Sequence, residues 1–195
     1  MMSRNNSRTQ ILEAALTLIT RRGDANVTMA NIGQAAGVSR QAVYLNFADR
    51  ADLMLALVRY VDERRGLERA LDKIRNAPSG LAAVRELVAL QARTNPEIWA
   101  IARAMDAVRR TDAEVERSWQ DRLKSRLQGC RQIIARLEND GVLRKELKPA
   151  AATDILWTVT SLRTWEDLVL QRGWTPVQYE KRVYELLRIA LTSTE

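Results

Sequence analysis

Apolar residues recur along this chain at three- and four-residue spacing, the mark of amphipathic helices, and no stretch alternates convincingly as a strand would. Ile11, Leu12, Ala15, Leu16, Leu18 and Ile19 line one face of a first helix over residues 9–22, which Gly23 ends. Ala25 and Val27 link it to two short helices near 28–36 and 40–47. A longer helix over 49–76 buries Leu53, Leu57, Tyr60 and Val61. Its second half, D-E-R-R-G-L-E-R-A-L-D-K-I-R, mixes both signs of charge and reads as a solvated connector. Asn76-Ala77-Pro78-Ser79-Gly80 interrupts the pattern and marks a domain boundary. Beyond it, helices are predicted near 80–94, 96–109, 112–139, 149–172 and 176–193. Pro96 suits a first helical turn, and Thr111 or Asp112 suits a cap. The helix over 112–139 repeats Val115, Trp119, Leu123, Leu127, Ile133 or Ile134, and Leu137. The expectation is an all-α protein of about nine helices, with a small domain over 1–50, a connecting helix over 51–76 and a larger helical domain over 77–195.

The most informative stretch runs from Val27 to Arg50, V-T-M-A-N-I-G-Q-A-A-G-V-S-R-Q-A-V-Y-L-N-F-A-D-R. Thr28 and Ser39 each precede a short helix, where a hydroxyl accepts a hydrogen bond from a backbone N–H of the first turn. Ile32 and Ala35 or Ala36 share a face, Gly37 sits where the chain turns with φ > 0, and Val38 plugs the angle between the helices. Arg40-Gln41-Ala42-Val43-Tyr44 is then the exposed start of the second helix. This is a helix-turn-helix over about 28–47, which presents the second helix's first side chains to a DNA major groove. Ile32, Val38, Val43 and Phe47 read as its core.

The residues around the turn narrow the assignment. A-x-x-A-G-V-S in the turn, Thr28 opening the first helix, Tyr44-x-x-Phe47 and a following basic residue, after an amphipathic helix ending T-R-R-G-D-A-N-V-T, resemble the DNA-binding domain of the TetR/AcrR (tetracycline-repressor-like) regulators. The likeness covers about the first quarter of the chain. It implies a three-helix DNA-binding domain followed by a larger ligand-binding and dimerisation domain, and a repressor that a small molecule releases by changing the separation of two recognition helices. Arg40 and Gln41 are the expected base contacts, since arginine pairs bidentately with guanine and glutamine with adenine. Thr28, Ser39, Tyr44, Asn46 and Arg50 are the expected backbone contacts, with Thr28 and Ser39 needed as caps in any case. The family usually has lysine where Arg50 stands. At a helix start capped by Asp49, Arg50 and the first amides would form a phosphate clamp.

Charge modifies this picture only slightly. The 195 residues carry a formal net charge of +7, which favours a polyanionic partner. Residues 1–50 hold six arginines against three acids, a modest enrichment. Arg4 and Arg8, in a polar start read as frayed or as an arm reaching phosphates, contribute to it. Histidine is absent and Cys130 is the sole cysteine, so His-based triads and Cys/His zinc sites are unavailable within the chain. No Gly-rich phosphate loop or isolated carboxylate pair occurs. The expectation is no enzyme, no cofactor and no metal. No apolar run approaches the roughly 20 residues of a membrane span, the start lacks a signal peptide's apolar core, and a cytoplasmic protein is expected.

In the second half, the helix over 149–172 is apolar on more than one side, and the last helix offers a further stripe. Pairing these with a second copy would bury Leu156, Val159, Leu162, Val169, Val183 and Leu187 in a homodimer, though a large monomeric core would use them equally. Trp99, Met105, Trp119, Trp157 and Trp165 are candidates for lining an effector pocket or for plain core packing. Trp174 suits a surface or an interface, and Cys130 a buried filler. Asp106, Asp154, Glu166 and Asp167 suit either solvent or a cationic effector. The expected partners are a palindromic double-stranded DNA operator, an unknown small-molecule effector and a second copy, with no membrane. The rival reading is a helical small-molecule-binding or scaffold protein that does not act through DNA.

Overall fold

The computed structural model describes residues 4–22 and 27–193. Gly23, Ala25 and the side chain of Arg4 fall outside them. Among the described residues there are ten α-helices and no strand: α1 (Arg4–Arg22), α2 (Met29–Ala35), α3 (Arg40–Asn46), α4 (Arg50–Arg64), α5 (Leu67–Arg75), α6 (Gly80–Arg109), α7 (Ala113–Asn139), α8 (Pro149–Val159), α9 (Leu162–Trp165) and α10 (Pro176–Leu191). A π-helical turn, Glu166–Gln171, continues α9.

Three elements differ from the pattern's prediction, each for a local reason. The helix expected over 49–76 is broken at Gly66, whose φ of 61° ends α4 and starts α5 anew. The helices expected on either side of Pro96 are one, because a proline removes a single N–H from the ladder and thirty residues of helix tolerate that loss. The helix expected over 149–172 stops at Thr160, where the Ser161 hydroxyl accepts from Thr164 N–H and caps a new start. The start of α1 also lies earlier, at Arg4, so the segment expected to fray is helical from that residue.

The chain forms two compact units, one of Met1–Leu67 with Glu97–Asp121, the other of Glu68–Pro96 with Arg122–Glu195. The division differs from the sequential domains expected. In the first unit, α1, α2, α3 and α4 share one core of Ile11, Ala15, Ile19, Ile32, Val43, Phe47, Leu53, Leu57 and Val61, and the same cluster takes in Ala100, Ile101, Ala104, Met105 and Val115. Residues 97–121 belong here because α4 is buried on more than one side: Ala51, Leu53, Met54, Leu55, Leu57, Val58 and Val61 are all inside. Tyr60 donates to Glu13 across α4 and α1 at 2.9 Å, and Arg65 pairs with Glu97.

In the second unit the ends of helices are tied to one another. Arg136 on α7 donates to the carbonyls of Ile74 and Arg75, each at 3.0 Å, and to that of Ala77, so one guanidinium satisfies the C-terminal end of α5. Gly80 lies against the α7 backbone so closely that a Cβ there would stand 2.7 Å from the Leu137 nitrogen. Its own N–H donates to Asp140 at 2.6 Å. Val84, Val88, Cys130, Ile134, Leu137, Leu156, Tyr179, Val183, Leu187 and Leu191 fill the interior. Leu156, Val183 and Leu187 are fully buried within their own chain, so three of the six expected dimer contacts offer a partner no surface. Val159, Leu162 and Val169 are half-buried, and the apolar side chains exposed on these elements are Leu170, Val177, Leu186 and Ile189.

Candidate nucleic-acid interface

The helix-turn-helix is built by caps and by one close approach. The Thr28 hydroxyl accepts from Asn31 N–H at 3.2 Å, while the Asn31 side chain accepts from Thr28 N–H at 3.3 Å, a reciprocal capping box. Gly37 takes φ 65°, its N–H donating to Gln34 and that of Val38 to Gly33. Gly33 lets the two helices touch: a Cβ there would stand 3.1 Å from a Val43 methyl and 3.2 Å from the Val38 carbonyl. Ser39 accepts from Ala42 N–H at 3.1 Å and starts α3. Ile32, Val43 and Phe47 are buried and Val38 is half-buried, as the apolar spacing predicts.

Arg40 and Gln41, the expected base readers, are both exposed in the first turn of α3. The Arg40 guanidinium lies 5.5 Å from the ring centroid of Tyr44, one turn on, and this cation–π contact holds the two side chains together on one helix face. Tyr44 is 42% exposed. Thr28 and Ser39 are exposed but spend their oxygens on caps. Asn46 is half-buried, and its amide donates back to the Ala42 carbonyl at 2.9 Å, which turns this expected phosphate contact inward. Arg50 is the first residue of α4. The helix end beside it already holds two carboxylates, Asp49 accepting from Asp52 N–H at 2.9 Å and Asp52 accepting from Ala48 N–H at 3.0 Å. A phosphate there would meet those acids, so any attraction comes from the Arg50 guanidinium rather than from the free amides of the clamp.

Three contributors are not legible in the sequence. Gln10 donates to the Ala36 carbonyl at 2.8 Å, and Arg8 donates to the Asn46 carbonyl at 2.5 Å while stacking 4.2 Å from the Phe47 ring centroid. Both reach from α1 to fix the ends of α2 and α3, so Arg8 positions the recognition helix from behind. Leu45, 68% exposed beside Tyr44, is the third, an apolar side chain that no core claims.

The expected effector residues are divided. Met105 is buried and Trp99 and Trp119 half-buried in the first unit, where Met105 belongs to the core and the two indoles pack against it. Trp157 and Trp165 belong to the second unit. Of the four acids, Asp106 accepts from Arg109 at 2.7 Å, and Arg109 also pairs with Glu116, so that carboxylate is spent within its own unit. Cys130 is buried, and burial pushes its thiol up, as expected of a filler. Among the described residues no cluster of acids and cysteine could hold a metal, and no helix is long and apolar enough to cross a membrane.

A capped helix α2, a turn at Gly37 and an exposed helix α3 on a three-helix unit have the architecture of a helix-turn-helix. Residues 11–57 match the sequence profile of bacterial regulatory proteins, tetR family. A stretch of 52 residues is 44% identical to the HTH-type transcriptional regulator TtgR of Pseudomonas putida, covering 27% of this chain and 25% of that protein. Residues 11–57 thus carry the sequence signature of the tetR-family DNA-binding domain. Sequence similarity to the curated relatives thus spans about a quarter of their length, and over the rest the likeness is of fold. NalD of Pseudomonas aeruginosa, the secondary repressor of the MexAB-OprM multidrug efflux pump, superposes with a TM-score of 0.70 at 22% identity, over 99% of this chain and 100% of that one. A Saccharomonospora viridis protein in complex with choline superposes with a TM-score of 0.82 at 19% identity, over 97% and 100%. The curated relatives are named as transcriptional regulators, not as enzymes.

Proposed function

We propose that the chain is a sequence-specific transcriptional repressor that binds a palindromic operator as a homodimer and leaves it when a small molecule binds the second half. The observation that carries this is the first turn of α3, where Arg40 and Gln41 stand exposed while Val43 and Phe47 are consumed by the core. Arginine and glutamine at the start of a recognition helix are suited to guanine and adenine edges in the major groove. Tyr44 and Arg50 supply backbone contacts that set register, and Leu45 supplies apolar contact to a thymine methyl.

A dimer follows from the operator's symmetry: two recognition helices meet half-sites about one helical turn apart or a multiple of it. Leu170, Val177, Leu186 and Ile189 are the side chains such an interface would cover, because they are apolar and exposed on the last two elements. Release by an effector is supported by the neighbours' fold, one of which holds choline.

The test is binding of the full chain to a fluorescent duplex carrying the region upstream of its own gene, followed by anisotropy, with Arg40→Ala and Gln41→Ala alongside. Saturable binding that both substitutions redirect supports the reading. Binding that neither substitution changes, or no preference over random duplex, would leave the chain as a helical binding or scaffold protein.

A further inference from the structure

We propose that the second unit holds a binding site for a small organic carboxylate, centred on the guanidinium of Arg126 and the indole of Trp157. The inference rests on the reading that this half of the chain takes a small ligand, and it names the chemical class of that ligand.

Arg126 lies on α7, half-buried. One of its terminal nitrogens donates to the Trp157 carbonyl and, at 3.2 Å, to the Thr160 hydroxyl, at the point where α8 stops. Its carbon stands 4.7 Å from the centroid of the Trp157 ring. These contacts use one arm of a fork that carries five N–H donors. Among the described residues no carboxylate pairs with it: the titratable groups that act on it are Cys130 and Tyr179. Burial pushes the Cys130 thiol up and the Tyr179 hydroxyl up to about 12, so both are neutral at neutral pH. The guanidinium itself stays charged there. It is therefore a partly desolvated cation with no counter-charge, an arrangement that costs free energy unless an anion completes it.

The surroundings state which anion. Among the described residues, Arg126 is the guanidinium shown bonding the end of α8, and its single charge matches a carboxylate and leaves a phosphate dianion under-compensated. The neighbours are aromatic and apolar. The indole N–H of Trp157 is buried with no hydrogen-bond partner, and so is that of Trp165, five residues beyond Thr160. Leu156 is fully buried on the same helix. Gln91 donates to the Thr160 carbonyl at 2.6 Å and accepts from Tyr179 at 3.3 Å, which holds the far side of the α8 break. An acid with an apolar body matches this chemistry: its carboxylate pairs with the guanidinium and its body packs on the indole. Because Arg126 also closes the end of α8, occupancy and the break between α8 and α9 share one side chain.

Calorimetric titration of the full chain with octanoate and benzoate, each against its neutral amide, tests this. Inorganic phosphate and choline serve as the other probes. At least one carboxylate is expected to bind saturably and about tenfold or more tighter than its amide, with phosphate and choline weaker still. Arg126→Gln should remove that preference and leave the amide's affinity unchanged, and Arg126→Lys should restore part of it. Equal binding of acid and amide, tighter binding of phosphate or choline, or no binding of either acid overturns the proposal. The wild-type acid–amide comparison decides even where a variant misfolds. Operator binding is measured on the same samples without ligand. DNA binding without carboxylate binding sinks this inference alone, whereas carboxylate binding that leaves the operator complex intact sinks effector release alone.

Discussion

At the scale of single residues, chemistry and structure separate cleanly in α3. Arg40→Ala removes a bidentate donor, so it should cost about 1–3 kcal/mol at one base position and relax preference there, as read by competition among operator variants. An unchanged preference would move the base contacts elsewhere. Tyr179 makes a second prediction, about pH. Burial raises its hydroxyl from 10.0 to about 12, so the folded state holds its proton longer than the unfolded chain does. The resulting stability is complete below pH 10 and is lost as pH climbs from there toward 12, on the order of 2–3 kcal/mol. Tyr179→Phe should flatten that alkaline decline relative to the wild type, measured by urea midpoints across the window. Of these two residues, only Arg40 could be picked from the sequence. A spacing rule points at the first turn of a recognition helix, whereas nothing local marks a tyrosine on α10 as fully enclosed.

At the scale of elements, the caps and glycines were legible and their partners were not. Thr28→Ala removes a cap and half of a reciprocal box, and it should cost about 0.5–2 kcal/mol of stability by chemical denaturation. Two glycines in helices give opposite predictions. Gly80→Ala drives a Cβ to within 2.7 Å of the Leu137 nitrogen, and backbone cannot step aside as a side chain can, so a loss of about 1–3 kcal/mol is expected. Gly129→Ala meets nothing within 4 Å inside α7 and should raise stability by about 0.5–1 kcal/mol. Thermal melts of the pair check both signs. The breaks at Gly66 and Thr160 belong here too. Charge pattern made 49–76 look continuous, and apolar pattern made 149–172 look continuous, because periodicity reports faces and is blind to a turn that keeps the faces aligned.

For the whole molecule, the surface that remains apolar after folding decides assembly. Leu186 and Ile189, each 53% exposed and one turn apart on α10, would sit in the interface of the proposed dimer. Replacing both by lysine should give a monomer in sedimentation and a large loss of operator affinity, since each half-site then binds alone. A dimer that persists would place the interface on another face. The exposed residues could not be told from the buried ones by composition, since α8 and α10 carry apolar side chains of both kinds at neighbouring positions. The fold class needed no such help: helical spacing through almost the whole chain left no other class.

By itself the sequence determined the helical class, the helix-turn-helix with its caps and its turn at Gly37, the tetR-like signature of residues 11–57, and Arg40 and Gln41 at the start of α3. These are local facts, written in residues within one or two turns of each other. Only the tertiary structure decided that residues 97–121 complete the core of the N-terminal unit, and that Gln10 and Arg8 fix the ends of α2 and of the recognition helix. It also decided that Leu156, Val183 and Leu187 are used up inside, and that Arg126 has no counter-charge among the described residues. Each of those depends on pairs far apart along the chain. Burial and charge balance are properties of what surrounds a side chain, and helical periodicity says which side of a helix is covered but not by what.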